Sequence, residues 1–193
     1  MKPFYRIALG SDHGGYRHKE ILKRFLASLG QEVIDCGCHS EASYDFPLSA
    51  AAVARRIVNR TAERGVLIDG AGFPSAMVAN RFPGVRAAVV HNDFTCTISR
   101  QHSDANVISF GAKVVDPDET CRLVELWLRT DFLGGKYQRR LDLLSAVERE
   151  AAGKTSGKRR LLTARDVAEN PQALTETDSV LLTPAAVDLL RNR

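Results

Sequence analysis

Five brief apolar runs, separated by longer amphipathic stretches, constrain this chain more than any other feature. They are Tyr5 to Gly10, Glu32 to Asp35, Gly65 to Asp69, Val85 to Val90 and Asn106 to Phe110. Strands covered on both faces read as short, nearly continuous apolar segments rather than as a polar–apolar alternation. Between them the period is helical. In Tyr16 to Leu29, Ile21, Leu22, Phe25 and Leu26 fall on one face, with Lys19, Glu20 and Lys23 assigned to the solvent side. Pro47 suits the first turn of a helix running to about Ala62, and Asp116-Pro117 opens another through Trp127. Gly30 and Gly65 mark helix exits. Strand and helix alternating over short connections predict a doubly wound, Rossmann-like α/β fold: three layers, α/β/α, around a central parallel sheet. Such sheets bind ligands beyond the carboxyl ends of their strands. That rule selects Ser11 to Gly15, Asp69 to Ser75, His91 to Asp93 and the region beyond Gly111.

The character changes near residue 151. Residues 1–150 carry the alternating pattern of one domain. Residues 151–160, small, polar and basic, read as a flexible linker. Residues 161–193 form a tail too short for its own core. Thr163 is a candidate N-cap in it, and Thr183-Pro184 starts a short amphipathic helix over the Leu181 to Leu190 region. A net charge of +4 without a Lys/Arg stripe or interleaved aromatics argues against nucleic acid. No stretch approaches the roughly 20 apolar residues of a membrane span, and the first ten residues contain Lys2 and Arg6 rather than a leader's apolar run. A cytoplasmic location is therefore expected. Of the four cysteines, Cys36 and Cys38 have one spacer and no second pair, which predicts reduced structural thiols and no metal.

Four constellations can carry chemistry. Gly10-Ser11-Asp12-His13-Gly14-Gly15 follows the first strand and offers a carboxylate, an imidazole and backbone amides at a helix N-terminus, suited to a phosphate or sugar hydroxyl. An ordinary glycine turn with a capping Asp explains the same residues. Asp69-Gly70-Ala71-Gly72-Phe73-Pro74-Ser75 follows the third strand, and its turn can aim amides at an oxyanion, although Pro74 has none to give. A carboxylate at the end of a buried strand is costly unless satisfied or used. His102, before the fifth strand, is placed either as a general acid or base or as a helix C-terminal histidine favoured by the dipole. Lys136 and Arg140, four apart, share a face if helical and suit a phosphate; a solvated basic face is the alternative.

The segments IALGSDHGGYRHKEILKRFL, EVIDCGCHS, YDFP, DGAGFPSAMVANRFPGVRAA, SRQHSDANVISFGAKVV and GGKYQRRLDLLSAVE together resemble the ribose-5-phosphate isomerase B and galactose-6-phosphate isomerase family over residues 4–149. The resemblance implies that Asp12 and His13 contact substrate, with His13 helping to hold its phosphate. It also implies that Asp45 belongs to the site, that His102 opens the sugar ring and that Lys136 and Arg140 bind phosphate. Gly70, Gly72, Ser75, His91 and Ser103, which lie in the constellations and strand-end positions singled out above, complete the candidate substrate-binding set. It further implies no metal or organic cofactor, and a homodimer or homotetramer with active sites between subunits.

Several positions depart from the family pattern. Asp69 stands where many members carry a catalytic cysteine, which makes it the candidate base. Ala71 replaces a hydroxyl residue linked to ring opening, Ser75 a glutamate used by other members, Pro74 a glycine and Ser103 an asparagine. The DGAG pattern is nearer to one subunit type of galactose-6-phosphate isomerase, which works beside a second chain. The Leu-Thr-Pro-Ala-Ala ending is similar to short tails on some bacterial microcompartment proteins. That likeness implies docking to a shell or partner protein, possible location inside a microcompartment, and a role outside the site; a solvated or intersubunit-packing tail is the alternative.

Two functions therefore compete. One is an aldose–ketose isomerase acting on a phosphorylated sugar through a cis-enediolate. The other is a non-catalytic sugar-phosphate-binding or partner subunit. A nucleotide-binding doubly wound domain is disfavoured, because the first loop lacks G-x-G-x-x-G.

Overall fold

The five apolar runs pair side by side. In the computed structural model, which describes residues 4–156, 160–162, 168 and 180–182, they form β1 (Arg6–Ser11), β2 (Glu32–Asp35), β3 (Arg64–Asp69), β4 (Ala87–Val89) and β5 (Val107–Gly111). All ladders are parallel, in the order β2-β1-β3-β5-β4. Helices α1 (Tyr16–Ser28), α2 (Phe46–Val58), α3 (Phe73–Ala79), α4 (Asp93–Gln101) and α5 (Pro117–Arg129) make the crossovers and the return from β5, and α6 (Lys136–Ser156) follows. The expected doubly wound parallel fold is the observed one.

Side chains alternate across the sheet. Ile7, Leu9, Val66, Ile68, Ile108 and Phe110 face a core completed by Leu22 and Leu26 of α1 and by Leu123 and Trp127 of α5. Ala8, Leu67 and Val107 face the other way, against Ala50, Val53 and Ala54 of α2 and Ala79 of α3. The small residues of the second face let α2 lie close. A Cβ at Gly65 would stand 2.8 Å from Val53 Cγ1 and 2.9 Å from Val107 Cγ2. Each large aliphatic side chain so covered contributes about 1.5–3 kcal/mol relative to exposure.

Several expectations need correction. Gly65 is no helix exit: it lies inside β3, α2 ends at Val58, and the reversal is made at Arg60 in the left-handed region with φ 57°. Lys19 is not on the solvent side but fully buried. It lies three residues before Leu22 and seven before Leu26, on the same stripe of α1, and its ammonium is neutralised there. Residues 151–156 are not a linker but the last turns of α6, where Ala151, Ala152 and Lys154 favour helix. In the tail, Arg160–Leu162 and Val180–Leu182 pair in parallel as β6 and β7, the second ending just before Thr183. The Thr163 and Thr183 caps, with most of the 161–193 docking segment, lie outside the described residues. The chain divides into two units, Met1–Asp142 and Leu143–Arg193. Among the described residues no helix is long and apolar enough to cross a membrane.

The Lys19 ammonium is held 2.8 Å from Asp35 Oδ2 and 2.5 Å from Glu20 Oε1. Lys23 donates to the same Asp35 oxygen at 2.6 Å, and the Gly37 amide to the other at 3.0 Å. Burial pushes the Asp35 carboxyl up, but Lys19, Lys23 and the Gly37 amide together outweigh it and bring it down to about 2. An unfolded aspartate titrates near about 3.9. The folded value is the lower one, so the stabilisation is complete above that pH and is lost as pH falls toward about 2. Asp35→Asn is expected to lower stability at neutral pH by on the order of 3 kcal/mol, because it strips a buried ammonium of a partner. It should also flatten the acid limb of a stability–pH curve between about pH 4 and 2. Urea melts at several pH values check both.

Candidate active site

The chain leaves β1 toward β2 on one side, and β3 sits on the other, so the strand order reverses between β1 and β3. The two polar turns that follow these strands meet at that reversal. The Asp12 amide donates to Ile68 O at 3.2 Å, and Gly15 lies so close to β3 that a Cβ there would be 2.4 Å from Ile68 O. This contact requires glycine at position 15 and fixes the first turn against the second.

Asp12 is half-buried. Its Oδ1 accepts the Gly15 amide at 2.9 Å, and no described residue bonds its second oxygen. The buried Cys38 thiol donates to Asp12 O at 2.9 Å, supporting the turn from below. His13 is exposed. Its Nδ1 lies 3.1 Å from Tyr44 O and 3.3 Å from the Tyr44 amide nitrogen, so either tautomer commits Nδ1 to the backbone. Asp45 follows at the start of α2, exposed and with no capping bond from its side chain. His91 is exposed just beyond β4, at the same edge of the sheet.

Asp69 is only 2% exposed. Its Oδ1 accepts the amides of Ala71 at 2.9 Å and Gly72 at 2.6 Å; its Oδ2 accepts the Ser75 amide at 2.8 Å. These amides turn inward, so the turn does not offer them to an oxyanion as its sequence suggests. Gly72 has φ 90°, and a Cβ on it would stand 2.8 Å from Gly111 N. Ser109 Oγ donates to Gly72 O at 2.5 Å. Ser75 Oγ is buried without a hydrogen-bond partner among the described residues.

The remaining predicted residues stand at the opposite edge. Helix α4 starts beyond the carboxyl end of β4 and runs back, so His102, its C-cap, arrives where the strands begin. Arg86, which precedes β4, confirms this: its Nε donates to Ser103 O at 3.1 Å and Asp104 O at 2.9 Å, and its guanidinium pairs with Asp104 at 2.6 Å. The buried Arg100 grips the same turn through Asp104 Oδ1 and Ala105 O, both at 2.7 Å. Asp104 itself has φ 42°. His102 stacks on Tyr137 with ring centroids 3.9 Å apart and planes 14° from parallel. The Lys136 ammonium lies 5.1 Å and the Arg140 guanidinium 5.4 Å from the centre of the Tyr137 ring. Lys136 and Arg140 do share a helix, α6, as their spacing requires.

One chain thus gathers Asp12, His13, Asp45, Asp69, Gly70, Gly72, Ser75 and His91 at the carboxyl edge, and His102, Ser103, Lys136 and Arg140 at the amino edge. It does not unite His13 with the two cations. Sequence reasoning missed Tyr137, although an aromatic between two cations is a recognisable signal. It also missed Lys113. That exposed cation follows β5, its amide donates to Gly70 O at 3.2 Å, and its Cε would lie 4.0 Å from a Cβ on Gly70. Only the folded pairing of β3 with β5 brings it beside the Asp69 turn.

Residues 7–144 match the family described as Ribose/Galactose Isomerase. Ribose-5-phosphate isomerase B of Escherichia coli is 36% identical over 143 residues, covering 74% of this chain and 96% of that protein. Among solved structures, ribose-5-phosphate isomerase B of Clostridium thermocellum superposes with a TM-score of 0.75 at 38% identity, covering 76% of this chain and 99% of the other. The Mycoplasma genitalium ribose-5-phosphate isomerase B, solved with bound ribulose-5-phosphate, gives 0.72 at 34% identity, with 78% and 99% covered.

The Gly15 contact generates a stability test. Gly15→Ala must lift the Asp12 turn off β3, because backbone atoms of Ile68 cannot retreat. A loss of about 1–3 kcal/mol is expected. Gly14→Ala, whose Cβ would approach only the Asp12 carboxylate at 3.3 Å, should cost less. Chemical denaturation of the two variants makes the comparison.

Proposed function

The chain belongs to the ribose/galactose isomerase family, and on that premise we propose that it is an aldose–ketose isomerase acting on a phosphorylated sugar through a cis-enediolate. The observation that carries this reading is the pair of preorganised polar half-sites on one sheet. Asp12, His13 and Asp45 stand at the carboxyl edge, and the His102–Tyr137 stack with Lys136 and Arg140 stands at the amino edge. Neither half can run the reaction alone. The first holds carboxylates and a histidine nitrogen for sugar hydroxyls and phosphate; the second holds an imidazole for ring opening and two cations for phosphate.

The working site is therefore formed by two copies, the carboxyl edge of one facing the amino edge of the other. Leu143, Leu144 and Val147 of α6 stand exposed in the single chain, which favours a covering partner. His102 donates to or accepts from the ring oxygen as the hemiacetal opens, and its flat contact with Tyr137 restricts the imidazole's orientation. Lys136 and Arg140 neutralise the phosphate that anchors the chain of the open sugar. Lys136 is a point charge and Arg140 a planar fork, so only Arg140 can grip two phosphate oxygens in a bidentate manner.

The second reading, a non-catalytic binding subunit, is favoured by one observation: the Asp69 carboxylate is engaged by backbone amides, and Ala71 beside it has no hydroxyl. Incubation of the purified protein with ribose 5-phosphate and a panel of phosphorylated pentoses and hexoses in deuterated water separates the two. The isomerase incorporates deuterium at C2 of the aldose or C1 of the ketose. A subunit that binds these sugars without incorporation is the non-catalytic one.

Two further outcomes are expected. Lys136→Ala should weaken binding of the sugar phosphate by ten- to a hundredfold, since a charge-assisted contact contributes about 1.5–3 kcal/mol, and should leave the unphosphorylated sugar unaffected; calorimetry with both ligands measures this. Inactive His13→Ala and His102→Ala variants, co-expressed, should recover activity, because a mixed dimer contains one site with neither change. Absence of recovery would mean that each site takes both histidines from one chain.

A further inference from the structure

The isomerase reading needs a base that can reach a carbon-bound hydrogen, and the two carboxylates at the β1–β3 reversal differ in their freedom to do so. Asp69 occupies both lone-pair directions of Oδ1 with the Ala71 and Gly72 amides and one of Oδ2 with the Ser75 amide. It is 2% exposed, beneath a turn packed against Gly111. A substrate carbon could reach it only if the turn opened and those amides lost their acceptor. Asp12 stands at the end of the neighbouring strand. It is half-buried, is fixed in place by the Gly15 amide at 2.9 Å through Oδ1, and has its other oxygen without a partner among the described residues. Asp45 and His91 also stand exposed at this edge, but at the start of α2 and beyond β4 rather than at the β1–β3 reversal. The Cys38 thiol is buried and donates to Asp12 O, and His13 Nδ1 is committed to Tyr44.

We propose that Asp12 is the carboxylate that carries the proton between C1 and C2, and that Asp69 is a positioning residue that holds the 69–75 turn in shape. The proposal rests on the isomerase reading. In the aldose-to-ketose direction Asp12 takes the hydrogen from C2. The electron pair of that C–H bond becomes the C1=C2 bond, and the C1=O π pair moves to O1, which takes up the proton that the neighbouring O2–H gives over in the second half. In the second half O2–H gives up its proton, the O2 electron pair forms C2=O, and the C1=C2 pair takes the proton back from Asp12 at C1. Hydrogen count and charge are unchanged, and no oxidant or cofactor enters. Asp69 contributes by fixing the backbone that borders the substrate on the β3 side.

Two measurements test the two halves separately. Asp12→Asn should reduce kcat and deuterium incorporation together by about 10²–10⁴-fold, the usual worth of a general base, with KM little changed. In the same variant the amides of Ala71, Gly72 and Ser75 should remain protected from hydrogen exchange. Asp69→Asn should leave incorporation within about tenfold of wild type while those amides lose protection. Incorporation abolished in a folded Asp69→Asn, or retained in Asp12→Asn, overturns the assignment. If Asp69→Asn does not fold, wild-type protein serves. The three amides should stay protected when sugar phosphate binds, and deprotection on binding would mean that the turn opens and Asp69 is the base. If wild type incorporates no deuterium from any sugar phosphate, the isomerase reading and the Asp12 role fall together, whereas the protection of the three amides still reports on Asp69 alone.

Discussion

The parallel pairing of β1 with β3, which sets Ser11 opposite Ile68, is the constraint on which the carboxyl-edge site depends. Strand order reverses there, so the two turns cannot be covered by the same crossover and a crevice is left between them. Everything placed in that crevice is referenced to the two strand ends. Asp12 is tied to Ile68 by its amide, Gly15 lies on the Ile68 carbonyl, and Asp69 closes its own turn one residue further on. A shift of either strand by one residue would send each of these side chains to the opposite face. The alternation of Ile7 and Leu9 with Ala8 between two cores opposes such a shift, so the packing of the interior fixes the geometry of the site.

The strands were legible because burial on both faces leaves an apolar run with no competing explanation, and the helices because Pro47 and Asp116-Pro117 announce their starts. Lys19 was misread for a physical reason. Sequence periodicity places a lysine by its charge, whereas the fold placed it by its position on the stripe and supplied Asp35 from β2, sixteen residues away, to receive it. Gly65 was misread because a glycine that ends a helix and a glycine that admits Val53 and Val107 look alike until the helix is packed. At the site, the residue types were legible but their division was not. His102 precedes the fifth strand, so in a parallel sheet it falls at the amino edge, whereas Asp12 and Asp69 follow their strands; a rule that looks only beyond the carboxyl ends does not bring the two groups together.

The same division separates two kinds of preorganisation. At the carboxyl edge the polar groups are aligned by backbone: amides grip Asp69 and Asp12, and the Tyr44 peptide grips His13. At the amino edge they are aligned by side chains. Arg86 and Arg100 hold Asp104 between them, and Tyr137 holds the ring of His102. Backbone alignment tolerates side-chain change in the turn but demands glycine where it approaches closely. Side-chain alignment tolerates backbone variation but demands particular cations and aromatics.

Trp127, the chain's one tryptophan, is fully buried beneath the amino edge. The guanidinium groups of Arg64 and Arg100 stand 5.6 and 5.8 Å from its ring, and Arg100 also holds the turn that carries His102. An indole in such an electric field emits at a wavelength set by those neighbouring charges. The protein thereby carries an optical probe for one edge of its sheet and none for the other. On the proposed reading, a phosphate held by Lys136 and Arg140 would bring charge to the edge where Trp127 lies, whereas a reacting carbon beside Asp12 would bring none there. Intrinsic fluorescence would then separate the anchoring of a ligand's phosphate from the engagement of its reacting carbons, without a label and without turnover.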